Sequence, residues 1–418
     1  MTTVRRGAAA FAAAAVLATA AAPAAVAAPS PSPSPSVALP SGLYGTGDPT
    51  YDGVWRQSLA LLAQDTAGVV PAAKAVDFLT GQQCADGGFA SYRADVSKPC
   101  DAELPRDTNA TSAAVQALAA LGGRDAAVTK AVDWLKSVQN EDGGWSYNPG
   151  GGSDANSTSV VVGALAAAGQ KPAEVTSKGR KTPDQALETF AVRCGGENGG
   201  AFVFQKGTPG AVGDSTAAAV TALNGDGFVV DPVKDLGEDT ECRKGAANET
   251  AAHNGGVFLA KKLAATGHLD TAPMPGAEDA DPQPDFGNTA DAVVALTAQG
   301  MAKQAEKPLQ WLEKNGAGWA KQAGPAAYAQ LVFAAHASGA DPKNFGGTDL
   351  VAALNATGPA PQGGADASSG SPSASADSGK DEASDDGGSM STWWIVGVFF
   401  VAAVGVGFLF SGRRKSRS

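Results

Sequence analysis

Histidine is nearly missing from this chain: 418 residues hold three, His253, His268 and His336, and none stands at ligand spacing from another. Cysteine is limited to four, with no Cys-x-x-Cys pair. Together these scarcities exclude the usual Cys/His zinc sites. Basic residues are also in deficit, 31 Lys and Arg against 42 Asp and Glu. The resulting net charge of −11 argues against a nucleic-acid partner. Alternating runs of β-branched residues are scarce, so the folded part reads as all-α. Long apolar runs are confined to the two ends of the chain.

Those ends set the expected compartment. Residues 1–27 carry Arg5 and Arg6, an Ala/Val/Leu run from Ala8, and a close at Ala25-Val26-Ala27. That is the layout of an export signal cleaved after Ala27. The residues around Arg5-Arg6 fit the general export route better than the twin-arginine one. At the other end a transmembrane helix is expected over 391–411, with an uninterrupted apolar stretch from Trp393 to Phe410. Its length of about 27 Å, at a rise of about 1.5 Å per residue, suffices to cross a hydrocarbon core. The basic tail 412–418 follows, which puts the C-terminus in the cytoplasm and the rest outside the cell. A single-pass cell-membrane protein is expected.

Cys84, Cys100, Cys194 and Cys242 are an even set in an exported chain, and so predict two disulfides. Sequence does not fix their connectivity. Cys84 and Cys100 are near neighbours around one loop, which leaves Cys194 with Cys242. Closing a loop of about 15 residues contributes roughly 3 kcal/mol.

Low-complexity segments bracket the domain. Residues 28–49 form a Pro/Ser-rich linker, and residues 357–390 are Gly, Ser, Ala and acidic residues with almost nothing apolar to bury. The globular part is therefore 50–356. Within it, "QQCADGGFASY" (82–92), "QNEDGGWSY" (139–147) and "RCGGENGGAFVF" (193–204) share one form. Each ends a helix with polar residues, then places Gly-Gly before an aromatic. The pairs Gly87-Gly88, Gly143-Gly144 and Gly199-Gly200 recur at an interval of 56 residues. A fixed period of that size marks a repeat architecture. "WLEKNGAGW" (311–319), ending at Trp319, reads as a degenerate copy of "WLKSVQNEDGGW" (134–145).

Between the loops, four segments open with Asp, Asn or Ser, carry a Thr seven residues before a Leu (Thr111, Thr158, Thr216, Thr289) and end at Gly. These are cap and stop signals of small, apolar helices that must be buried. Their amphipathic partners should lie outside. Six hairpins are expected: 54–66 with 72–82, 108–121 with 126–138, 156–168 with 182–193, 213–223 with 254–265, 287–299 with 303–314, and 324–337 with 346–356. Six such pairs make a closed ring of two concentric helix layers, an α6/α6 toroid, with one C-terminal transmembrane helix beyond it.

The period, the paired helices and the Gln-x-x-x-Gly-Gly-(Phe/Trp) loops at Gln83–Phe89 and Gln139–Trp145 resemble the prenyltransferase/squalene-cyclase repeats of the α/α toroid superfamily. The resemblance covers essentially all of 50–356. It implies structural roles for the loop aromatics Phe89, Trp145, Phe202 and Trp319. Protein prenyltransferases hold zinc with an Asp-x-Cys and a later His. The matching places here read Asp107-Thr108-Asn109 and Asp154-Ala155-Asn156, with Asn288 and Asp291 where the histidine should stand. Neither metal nor other cofactor is therefore expected. The Asp-x-Asp-Asp acid of squalene-type cyclases is missing from the domain, and "RCGGENGG" departs in spacing from the thioester motif of complement-like toroids. The reading leans away from catalysis. What remains resembles a corrin-carrier-like binding toroid: a membrane-tethered module for a small molecule or membrane protein, accessory to a transporter. Its expected mouth is formed by Asp107, Asn109, Asp154, Asn156, Asp214, Asn288 and Asp291 at the inner-helix N-termini. The rival is a cell-envelope enzyme, either a cyclase or prenyltransferase-like protein or a carbohydrate-active toroid, acting on lipid or glycan.

Overall fold

Asp107, Asp154 and Asp285 each start a helix in the same way. Asp107 Oδ1 accepts from Ala110 N at 2.8 Å, Asp154 Oδ1 from Ser157 N at 2.7 Å, and Asp285 Oδ1 from Asn288 N at 3.0 Å. Each cap satisfies a backbone N–H that has no partner within its helix, a contribution of about 0.5–2 kcal/mol. A computed structural model describes residues 39–208, 212–237, 239–245, 248–271 and 281–363. The expected signal, the apolar segment 393–410 and the basic tail lie outside the described residues. Among the described residues no helix is long and apolar enough to cross a membrane.

The helices fall into hairpins: α1 (Gly53–Thr66) with α2 (Ala73–Gly81), α3 (Thr108–Leu121) with α4 (Asp125–Ser137), and α5 (Ala155–Ala167) with α6 (Pro183–Glu188). The ring continues with α7 (Gly213–Leu223) and α8 (Asn248–Thr266), α9 (Phe286–Ala298) and α10 (Ala302–Ala323), and α11 (Pro325–Ala337) and α12 (Leu350–Asn355). The odd-numbered helices pack in chain order, and α11 returns against α1, so the inner layer is closed. Their small side chains allow this. Ala114, Ala117, Leu118, Ala164, Leu165, Ala295, Ala334 and Ala335 are all buried. One antiparallel two-residue pair, β1 (Leu269–Asp270) with β2 (Pro284–Asp285), precedes α9.

The repeated threonines explain the repeated loops. Thr111 Oγ1 accepts from Phe89 N at 2.9 Å, Thr158 Oγ1 from Trp145 N at 3.0 Å, and Thr216 Oγ1 from Phe202 N at 3.0 Å. Thr289 Oγ1 accepts from Leu269 N at 3.0 Å in the same manner. Every inner helix so marked fastens the loop that precedes it. Phe89, Trp145 and Phe202 are fully buried, and Trp145 Nε1 donates to Leu135 O at 2.7 Å, closing the end of α4. Gln83 and Gln139 both reach the carbonyl four residues on, Gly87 O at 3.0 Å and Gly143 O at 2.8 Å.

Three details differ from the sequence reading. Trp319 belongs to no loop; it lies inside α10, which continues through Asn315, Gly316 and Gly318. Gly316 faces the Leu331 side chain at close range, so the small residues there serve helix contact rather than a turn. Phe345 and Thr348 form a separate bridge in the turn between α11 and α12. In the third loop the glycine matching Gly87 and Gly143 is Gly200, not Gly199. Gly87, Gly143 and Gly200 share φ values of 93–97°, and a Cβ on each would strike the backbone of the next outer segment, at Lys130, Thr182 and Asn254. Ala201 stands in place of that loop's second glycine. Finally, α6 is cut short at Glu188, because Phe190 and Val192 leave the helix to pair with Val203 and Ala201.

The folded body also extends past 50–356. Tyr44 is fully buried, its hydroxyl bonded to Gln64 Oε1 at 3.0 Å and Pro359 O at 3.1 Å. Gly45 N donates to Thr357 O, and Gln362 N to Val70 O. These strands of chain, expected as linker, clasp α1. Cys84 bonds Cys100 and Cys194 bonds Cys242, with Cα separations of 5.6 and 5.8 Å.

Candidate functional site

The inner helices enclose a cavity of about 1800 Å³. Drug-sized ligands occupy about 300–1000 Å³, so this space suits something larger. All seven mouth residues expected from sequence line it: Asp107, Asn109, Asp154, Asn156, Asp214, Asn288 and Asp291. The threonine register explains their convergence. Asn109, Asn156 and Asp214 each stand two residues before the loop-fastening threonine of their helix, so they occupy equivalent positions around the ring.

Their individual roles differ. Asp107 and Asp154 are the caps described above, and Asp107 also accepts from Ser91 Oγ at 2.8 Å. Asp214 is not a cap, since Val212 occupies that place in α7. Asp214 Oδ2 accepts instead from Asn156 Nδ2 at 2.5 Å. Asn288 donates through Nδ2 to Asp285 Oδ2 at 2.6 Å. Asp291 lies a turn deeper, held by Gln330 Nε2 at 3.1 and 3.3 Å.

Burial in this wall pushes the carboxyls up. Asp154 and Asp214 rise to about 6, and Asp291 to about 7, chiefly because their charged forms are desolvated. Repulsion adds to this: Asp214 raises Asp154, Asp285 raises Asp214, and both Asp214 and Asp285 raise Asp291. Burial likewise raises Asp107 and Asp285. Around neutral pH the mouth can therefore exchange protons.

The floor and one side wall are aromatic. Phe228, in the segment joining α7 to α8, meets Trp55 edge-on at 5.4 Å and stacks on Phe333 at 6.3 Å. Gln116 Oε1 accepts from Phe228 N at 2.9 Å and so pins this segment across the ring. Behind it, Gly225, Asp226, Gly227 and Val229 border a shallow cleft at the opposite face, making Phe228 the floor of the main cavity. On the side wall Phe286 stacks on Trp319 at 5.5 Å.

Asp285, Gln330, Trp55, Phe228 and Gln116 were not foreseen. The register could have supplied Asp285, which precedes Thr289 by four residues as Asp107 precedes Thr111 and Asp154 precedes Thr158. The same count removes Asp214 from the caps. Nothing local marks Phe228, which becomes a floor only through contacts with distant helices. Among the described residues no group of three or more His, Cys, Asp or Glu is placed to hold a metal ion.

A closed inner layer of six helices inside a ring of partners defines an α/α toroid. Residues 49–200 match the family model of the prenyltransferase alpha-alpha toroid domain. That match and the closed inner ring support the α/α toroid superfamily that the sequence resembles. Similar solved structures include ent-copalyl diphosphate synthase from Streptomyces platensis, at 16% identity and a TM-score of 0.45, covering 69% of this chain and 50% of that one. The chain thus spans half the length of that synthase. A glycosidase is similar at 15% identity and TM-score 0.43, covering 72% of this chain and 92% of its own. A sugar epimerase from a ruminal bacterium is similar at 14% identity and TM-score 0.41, covering 66% and 80%. No curated protein matches. Likenesses of this degree say nothing about activity.

Proposed function

We propose that the domain is a ligand-capture module displayed at the cell surface, accessory to a membrane protein such as a transporter. The observation that supports it is the cavity of about 1800 Å³, closed below by Phe228 and lined by all seven expected polar residues. The apolar run 393–410 and the basic tail are the basis for tethering. Mass spectrometry of the protein purified gently from its host tests capture directly. A stoichiometric co-purifying small molecule, displaced on unfolding, is expected; an empty cavity across several growth conditions counts against it. Protease added to intact cells should release the domain by cutting within 364–390, and a protected domain overturns the surface placement.

A cell-envelope enzyme acting on lipid or glycan is the second reading. One observation favours it: Asp291, at about 7, can be a proton donor near neutral pH beside an aromatic wall. The two readings separate by substitution. Capture survives Asp291→Asn with altered affinity, whereas turnover that depends on this acid is abolished.

A further inference from the structure

Resting on the capture reading, we propose that the cavity's ligand is an organic cation, a protonated amine or guanidinium carried on an apolar or aromatic body. Asp154, Asp214, Asp285 and Asp291 share one wall, and among the described residues no Lys, Arg or His forms an ion pair with any of them. The cations that line the cavity do not compensate. Arg56 is held by Asp52 at 2.9 Å, while Lys206 and Lys321 are exposed. A phosphate or carboxylate head would meet uncompensated repulsion here.

A second, independent feature asks for donors. Asn109 is 7% exposed, lines the same cavity, and its Oδ1 has no hydrogen-bond partner. Asn156 Oδ1 is likewise without one. A buried acceptor left unpaired is costly, and rotation of the Asn109 amide presents its oxygen to a donor in the cavity. An ammonium or guanidinium is donor-only. The stacked Phe286–Trp319 pair stands beside Asp285, and an aromatic face next to a carboxylate attracts a cation from two sides. The raised carboxyls fit this, since a cation entering the wall offsets the desolvation, and with it the repulsion, that raises them.

Four probes of matched body test the charge: 2-phenylethylamine, 2-phenylethanol, 3-phenylpropionate and phenyl β-glucoside. Each is titrated calorimetrically at about pH 7.5, above the raised carboxyl range, into the full chain in lipid nanodiscs, with protein-free discs as blank. The amine is expected to bind about tenfold or more tightly than the alcohol, with the carboxylate weakest. Asp214→Asn and Asp291→Asn should bring the amine-to-alcohol ratio towards one, while Asp133→Asn on the exposed face of α4 keeps it. Unfolding midpoints verify that the variants are folded. Equal binding of amine and alcohol overturns the cationic class and leaves capture standing. Tightest binding of the glucoside overturns it in favour of a polyol. No binding of any probe at millimolar concentration overturns both.

Discussion

Asn156 and Asp214 occupy equivalent positions on neighbouring inner helices, and the Asn156 amide donates to Asp214 Oδ2 at 2.5 Å across the gap. Asp154, two residues earlier, caps its own turn at Ser157 N and also accepts from the backbone of Tyr147. Two carboxyls on one wall thus have opposite relations to stability. The Asp154→Ala change removes a cap and should lower stability by about 0.5–2 kcal/mol. The Asp214→Asn change keeps the shape and removes a charge that burial and Asp285 disfavour. It should leave the melting temperature unchanged or raise it at neutral pH. Thermal unfolding of both variants checks this, and a large loss from Asp214→Asn would refute the assignment.

The same wall sets a pH dependence. Asp154, Asp214 and Asp291 have folded values of about 6, about 6 and about 7, above the ordinary 3.8. Between those limits the folded state binds more protons than the unfolded one, so stability falls as pH rises. The contribution is fully present near pH 4 and lost on passing about 7. The exposed carboxyls held low, such as Asp95 at about 2, titrate below this window. The empty domain should therefore melt higher at about pH 5.5 than at about pH 7.5. The Asp214→Asn/Asp291→Asn double variant should flatten that slope; an unchanged slope places the titration elsewhere.

How much of this was legible in the sequence follows from where each signal lives. Helix positions and the six-hairpin ring were readable because the cap, the threonine and the stop glycine recur within single segments. The mouth residues were readable for the same reason, since equivalent positions on successive helices must converge at one end of a ring. Trp319 was misplaced because Gly316 and Gly318 look like turn residues, although both lie inside α10 and Gly316 packs against Leu331 of α11. Phe228 and Gln116 were invisible: their contact joins residues 112 apart and has no local pattern. The short Pro/Ser-adjacent segment with Tyr44 was likewise read as linker, since only its partners Gln64 and Pro359 make it part of the body.

The threonine device predicts a particular cost. Thr158 is fully buried and its hydroxyl is the acceptor for Trp145 N. Replacing it with Val preserves volume but leaves that buried N–H without a partner, at about 1–3 kcal/mol. Urea unfolding of Thr158→Val should show a lower midpoint. Hydrogen exchange should show the 139–147 loop opening before the ring does. Uniform loss of protection across all loops would mean that each threonine does not act on its own loop.

Phe228 carries the last test, because it makes the ring a cup instead of a tube. Its ring touches Trp55 and Phe333, and its backbone is held by Gln116 from a helix on another part of the circle. The Phe228→Ala change deletes a half-buried aromatic, so the cost should be below the about 3–5 kcal/mol of a fully buried one. Its larger consequence is geometric. With the ring gone, the main cavity opens toward the shallow cleft bordered by Gly227 and Val229. Trp55, which already lines the cavity, should then become more accessible to acrylamide, read as the quenching difference between Phe228→Ala and the same change made with Trp55→Phe. Gln116→Ala provides the independent arm: it keeps the aromatic ring but frees the segment, so quenching should increase there too, with a smaller loss of stability. If neither change exposes Trp55, the segment is not the floor, and a captured ligand must be retained by the mouth alone.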